Sequence, residues 1–279
     1  MIRIVTDSLC DMTMAYAEEH NFDILPLTVR FGETDYKCGV DMSNEEFYDR
    51  LENSDEAPTT AAVNPFDFEE LFQKYIDAGD EIVAIIFSKY MSATFQSAKI
   101  AADNIDSDKL HLIDCENGAM GQALLINSAL AMRDKGLSAQ EIADNITALL
   151  PRTLTYIVVD NMDYLQKGGR ISKSADPVGN QMKIHPVLQL LPDGVKPVDK
   201  VKGRKSCNAW LVNKVQEMTP DTDYQIVIGH SNAVERAELL KEQLREAGIT
   251  NDIMITCIAP IVGTHIGPYC LGIGFVKKA

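Results

Sequence analysis

A serine, a threonine and a histidine stand out as groups that could together hold a small anion. Ser92 lies in Ser88-Lys89-Tyr90-Met91-Ser92-Ala93-Thr94-Phe95-Gln96-Ser97-Ala98, just after the apolar run Ile82 to Phe87. The pattern predicts a helix starting around Ser92, and the unpaired N–H groups and dipole of a helix start favour negative charge. A hydroxyl there adds a directional donor, although the same residue serves equally as a plain N-cap. Thr59-Thr60, shortly before a helix start at Asn64-Pro65, has the same two roles open to it. His265 sits in Gly263-Thr264-His265-Ile266-Gly267-Pro268, where the glycines permit tight backbone turns. An imidazole near neutral pH can donate to a carboxylate or pair with it, and a structural histidine is the alternative.

These groups need a scaffold, and the chain offers an α/β one. The first half alternates apolar runs with helix-like stretches, as a mainly parallel sheet covered by helices does. Strands are predicted at Ile2 to Thr6, Ile24 to Phe31, Ile82 to Phe87 and Leu110 to Ile113. Polar residues follow three of them: Thr6-Asp7-Ser8, then Ser88 and Ser92, then Asp114. The carboxyl ends of parallel strands are where open α/β sheets bind ligands. Capping boxes at Ser43 with Glu46 and at Ser138 with Glu141, and Asn64 before Pro65, mark helix starts.

The second half reads as a mixed α+β unit. Strands are expected at Thr155 to Val159, around a hairpin at Pro192-Asp193-Gly194, and at Gln225 to Ile228, Ile253 to Ile258 and Leu271 to Val276. Helices separate them at Cys207 to Met218 and Ala233 to Ala247. The division falls near Pro151-Arg152-Thr153, giving domains 1–155 and 156–279 with a ligand cleft between them.

Composition narrows the function classes. The 279 residues are 46% hydrophobic and 24% charged, as in a folded globular chain. The N-terminus enters a strand at once, with no export signal, and no apolar run reaches the roughly 20 residues that span a bilayer. Six cysteines lie far apart without a CxxC pair, which argues against a zinc site and a disulfide framework and for reduced thiols in the cytoplasm. A net charge of −15 opposes nucleic acid and anionic membranes as partners. Between Lys167 and Lys205, however, nine basic residues face three acidic ones; this net +6 leaves −21 for the remainder. Such an island is a solvated face or a docking patch for an acidic partner. Within it, Lys167-Gly168-Gly169-Arg170 reads as a helix end followed by a turn.

Taken in order, Thr6-Asp7-Ser8, Pro58-Thr59-Thr60, Ser92-Ala93-Thr94-Phe95-Gln96-Ser97, Asp114 with Gly118-Ala119-Met120-Gly121, Leu165 with Lys167-Gly168-Gly169-Arg170, and Gly263-Thr264-His265 with Gly267-Pro268 resemble the DegV family across nearly the whole chain. That resemblance implies a two-domain α/β protein holding a long-chain fatty acid between its domains, without a cofactor or a metal. It implies that Thr60, Ser92 and His265 grip the carboxylate, with Thr59, Thr94 and Thr264 as a secondary set. It further implies a non-catalytic carrier that presents the acid to a separate fatty acid kinase, with Arg170 and Arg204 leading candidates for docking. Two departures from the family pattern bear on the head group: Thr60 is followed by Ala61-Ala62-Val63 in place of Ser-Gln-Pro, and Ala93 replaces a glycine.

Other functions remain open to the same residues. A lipid sensor or reservoir needs the acid but not the kinase. A serine hydrolase would use Ser92, His265 and an acid such as Asp7 or Asp114, yet Met91 and Ala93 flank the serine where a Gly-x-Ser-x-Gly elbow would have glycines. Phosphate binding lacks both nucleotide fingerprints.

Overall fold

The computed structural model describes residues 1–53, 57–160, 162–171 and 183–279. Ser172, Lys173 and Asp176 of the stretches named above lie outside the described residues.

The first sheet is parallel throughout, in the order β2-β1-β6-β7, where β1 is Ile2–Asp7, β2 Asp23–Leu25, β6 Glu81–Ile86 and β7 Leu110–Asp114. Strand β6 is buried from Ile82 onward because both faces are covered. Ile82, Ala84 and Ile86 face α3 (Pro65–Asp77) and α4 (Thr94–Ile105). Val83 and Ile85 face α5 (Met120–Asp134) and α6 (Ala139–Leu149). Helix α1 (Met14–His20) links β1 to β2.

The expected strand over Ile24 to Phe31 is in fact two strands in different sheets. Pro26 supplies no N–H and restricts the residue before it, so the chain leaves β2 and re-forms as β3 (Thr28–Phe31). Strand β3 is the centre of a small antiparallel sheet between β4 (Thr34–Lys37) and β5 (Thr59–Ala61), and α2 (Asn44–Asn53) lies between those two in sequence. The box at the start of α2 is formed: Glu46 N donates to Ser43 Oγ at 3.1 Å and Ser43 N to Glu46 Oε2 at 2.8 Å.

The second sheet has the order β10-β9-β8-β13-β11-β12 and is antiparallel except between β11 (Ile226–His230) and β12 (Ile253–Cys257). It begins with β8 (Thr153–Val158), which leads into α7 (Asp163–Lys167). Strands β9 (Ile184–Leu191) and β10 (Gly194–Lys202) form the expected hairpin, and β13 (Leu271–Val276) closes the chain. Helices α8 (Arg204–Met218) and α9 (Val234–Glu246) cover one face, and α10 (Pro260–Ile266) connects β12 to β13.

Helix α5 is shared by both sheets. Its residues are buried nearly all round, since β1 and β6 lie on one side and β8, β11 and β13 on the other. Strand β13 is built to admit it. Leu271, Ile273 and Phe275 point to the α8/α9 side, whereas Gly272 and Gly274 turn toward α5. A Cβ on Gly274 would lie 2.9 Å from the main-chain carbonyl carbon of Met120, so only a bare strand face allows this approach.

Candidate functional site

Each sequence-derived residue reaches the site on a different element. After β6, the Phe87 amide donates to Asp7 Oδ2 at 2.8 Å, and the amides of Met91 and Ser92 return to Ser88 O. This folds the loop over the carboxyl ends of β1 and β6. Helix α4 then opens at Thr94, with Ala93 as its N-cap. Ser92 stands just outside: its Oγ accepts from Thr94 N at 3.2 Å and lies 2.9 Å from Thr94 Oγ1. Thr94 thus orients Ser92 and is itself fully buried. Ala93 has φ −71° and ψ −7°, which any residue adopts, so its methyl imposes no backbone strain.

Thr60 is not at a helix start. It is the middle residue of β5, opposite Val29 of β3, and this three-residue strand exists only through that pairing. Thr60 Oγ1 lies 3.3 Å from His265 Nε2.

His265 is helical as well, in the last turn of α10, where the flanking glycines had suggested turns. Gly263 lies inside that helix because an added Cβ would meet Tyr48 Oη at 2.6 Å and Phe47 at 2.8 Å. Gly267, at φ 77°, ends the helix. The start of α10 is fastened to the first half of the chain. Ala259 N donates to Asp11 Oδ1 at 2.8 Å, and Tyr48 Oη donates to Ile258 O at 2.8 Å.

The imidazole is therefore held between Thr60 and Gly168. Its Nδ1 is buried without a hydrogen-bond partner among the described residues, and a Cβ on Gly168 would come within 2.3 Å of it. Burial, and secondarily the positive charge of Arg170, push the His265 pKa down to about 4. The ring is neutral at pH 7.

Thr60, Ser92, Arg170 and His265 line a cavity of about 190 Å³ whose remaining walls are apolar. Its lining comes from both halves of the chain, with Leu9, Leu27 and Phe87 from the first and Leu165, Leu188 and Leu190 from the second. Ala62 and Ala93, both departures from the family pattern, are also in its wall. Thr60, Arg170 and His265 continue into an outer cleft of about 380 Å³, which Thr59, Lys167 and Thr264 also border. The Thr264 hydroxyl donates to Pro260 O at 2.9 Å and is thereby occupied. Thr60, Arg170 and His265, common to both, thus mark the junction of the apolar cavity with a basic cleft, while Ser92 borders the apolar cavity alone.

Arg170, singled out as a docking residue, belongs to the cavity wall. Its Nη1 donates to Gly168 O at 2.7 Å. Arg204 lies outside both cavities. It pairs with Asp160 at 2.7 Å, with its guanidinium 5.5 Å from the Tyr269 ring centroid. The apolar lining escaped the sequence reading, although the alternation of Leu188 and Leu190 along one strand face carried a usable signal.

Among the described residues no hydrogen bond joins Ser92 to His265, or His265 to Asp7 or Asp114, as a serine hydrolase would require. Ser92 Oγ bonds to Thr94, and Asp7 accepts from the amides of Leu9 and Phe87. Asp114 accepts from the amides of Glu116 and Lys89. Among the described residues, no group of three or more His, Cys, Asp or Glu side chains is placed to hold a metal ion, and no helix is long and apolar enough to cross a membrane.

Comparison with known proteins places these features in a family context. The model of the DegV family, described as one of uncharacterised proteins, matches residues 1–278. A DegV domain-containing protein of Caldanaerobacter subterraneus is 32% identical over 279 residues, covering 99% of each chain. Among solved structures, a stearic-acid-binding protein from Eubacterium ventriosum superimposes with a TM-score of 0.89 at 24% identity, covering 100% of this chain and 99% of that one. A fatty-acid-binding DegV family protein from Streptococcus agalactiae gives 0.86 at 25% identity, with the same coverage.

Proposed function

The chain belongs to the DegV family, and on that premise we propose that it binds a long-chain fatty acid in the apolar cavity without chemically altering it. One observation carries the reading: Thr60, Ser92, Arg170 and His265 line a cavity that is otherwise apolar, with Thr60 Oγ1 3.3 Å from His265 Nε2. Burying an ionised carboxylate is unfavourable unless several donors meet it, whereas each buried methylene contributes about 0.8 kcal/mol. The hydroxyls of Thr60 and Ser92 and the Nε2–H tautomer of His265 supply donors, and Arg170 supplies opposite charge. Solved relatives described as fatty-acid binders support the same ligand class.

The outer cleft gives the head group an exit. In this proposal the carboxylate at Thr60, Ser92 and His265 is presented through the cleft to a separate fatty acid kinase, which Arg170 and Arg204 help to dock. The protein works in the cytoplasm, a setting favoured by its six unpaired cysteines.

Native mass spectrometry of the purified chain tests the ligand, with a retained mass matching an intact fatty acid as the expected result. His265→Ala and Ser92→Ala should each weaken binding about tenfold or more while the fold persists, the loss expected for a hydrogen bond to a charged group. Unchanged affinity in folded variants would refute the assignment. A pull-down of the kinase by wild type but not by Arg204→Glu separates a carrier from a lipid sensor or reservoir.

A further inference from the structure

The cavity has a second end, and its position follows from strand register. Strand β8 runs toward α7, and the chain beyond α7 carries Arg170 at the polar end. Ile157, late in β8, is opposite Leu188 of β9, whereas Leu190 is opposite Thr155, nearer the start of β8. Leu190 in turn is opposite Val195 of β10. Ile157, Leu188, Leu190 and Val195 all line the cavity. The wall they form therefore leads away from the polar end toward the hairpin turn at Pro192-Asp193.

Val195 is the last residue of this row. Leu188 is fully buried and Leu190 nearly so, while Val195 is half-buried on a strand that, among the described residues, has β9 as its only neighbour. The register of β10 shifts between Pro197 and Asp199, two residues further on. Val195 thus stands between a turn and a bulge, where a change in side-chain size alters the cavity with little effect on the sheet.

We infer that Val195, with Leu190 beneath it, is the stop against which the tail of the bound chain ends, and that its side chain sets which acyl length fits. This inference rests on the fatty-acid reading above. A chain anchored by its carboxylate at His265 must end at the hairpin, so each methylene beyond the stop loses the burial that made binding favourable.

The test is equilibrium binding of tetradecanoic, hexadecanoic, octadecanoic and eicosanoic acids to the delipidated full chain. Val195→Phe should shift the optimum to shorter acids. Each methylene that no longer fits forfeits about fourfold in affinity, so the preference for octadecanoic over tetradecanoic acid should fall about tenfold or more. Val195→Ala should move the optimum toward longer acids. Val198→Ala, at an exposed position of the same strand, should leave the profile unchanged. If wild type binds the acids but neither Val195 variant alters the length profile, the stop is overturned and the binding reading stands. If wild type binds none of the acids, both fall.

Discussion

Replacing Gly168 with alanine probes the proposed head-group site without replacing any residue expected to contact the ligand. Gly168 has φ −74° and ψ −9°, so alanine is accommodated by the backbone and slightly restricts the unfolded chain. The new methyl, however, would sit 2.3 Å from His265 Nδ1, well inside van der Waals contact. The imidazole must move, and the 3.3 Å contact with Thr60 breaks with it. A hydrogen bond to a charged group is worth about 1.5–3 kcal/mol, so carboxylate affinity should fall ~10- to ~150-fold. Fluorescent fatty-acid displacement measures this, with circular dichroism confirming an unchanged fold. Gly169→Ala is the control. It has open space for a methyl but a φ of 68°, so it should cost about 1 kcal/mol of stability and little affinity. Wild-type affinity in folded Gly168→Ala would refute the placement of His265 at the head group.

Two further perturbations test the framework around the site. Burial pushes the Asp11 carboxyl up to about 8, so between about pH 4 and 8 the folded state holds a proton that the unfolded state releases, and stability falls as pH rises through that window. Asp11→Asn keeps an acceptor for Ala259 N and suits the φ of 57° at this position. It should flatten that slope and raise Tm at pH 9 by at least about 2 °C, the shift that ~1 kcal/mol produces in a chain of this size; a wild-type pH profile would contradict the burial account. Gly274→Ala would press a methyl against the Met120 backbone and should destabilise by about 1–3 kcal/mol, read as a lower midpoint in urea.

Local signals were legible where one segment decides its own structure. The pairings of Ser43 with Glu46 and Ser138 with Glu141, and the Asn64-Pro65 start, formed as read because capping needs only neighbouring residues. Strand β6 showed through as a continuous apolar run because helices cover both of its faces. Thr60 escaped as a strand residue because β5 is made by its partner β3, some thirty positions away in sequence. His265 was legible as a chemical group but not as a helical one. Gly263 suggests a tight turn in the sequence, whereas it lies within the helix and makes room for Tyr48 and Phe47. Pro26 did mark a break within Ile24 to Phe31, and the rule for proline in strands could have found it. Arg170 is exposed, as a surface cation should be, but nothing local reveals that it also borders the cavity, because its backbone follows a helix packed beside α10.

The bare face of β13 has a kinetic consequence. With Met120 seated against Gly272 and Gly274, and the opposite side of α5 against β1 and β6, one helix is clamped by both sheets. Swinging the sheets apart would strip that helix from one of them, exposing a largely apolar surface and, on the β1 side, breaking the buried Gln122 bond to Thr6, so the transition is costly. For the fatty acid proposed above, exchange is then left to the smaller pieces at the rim: α7, α10 and the β9–β10 hairpin. Residence time becomes a property of that rim, and substitutions that weaken the clamp can lower thermal stability while leaving the release rate of a bound molecule where it was.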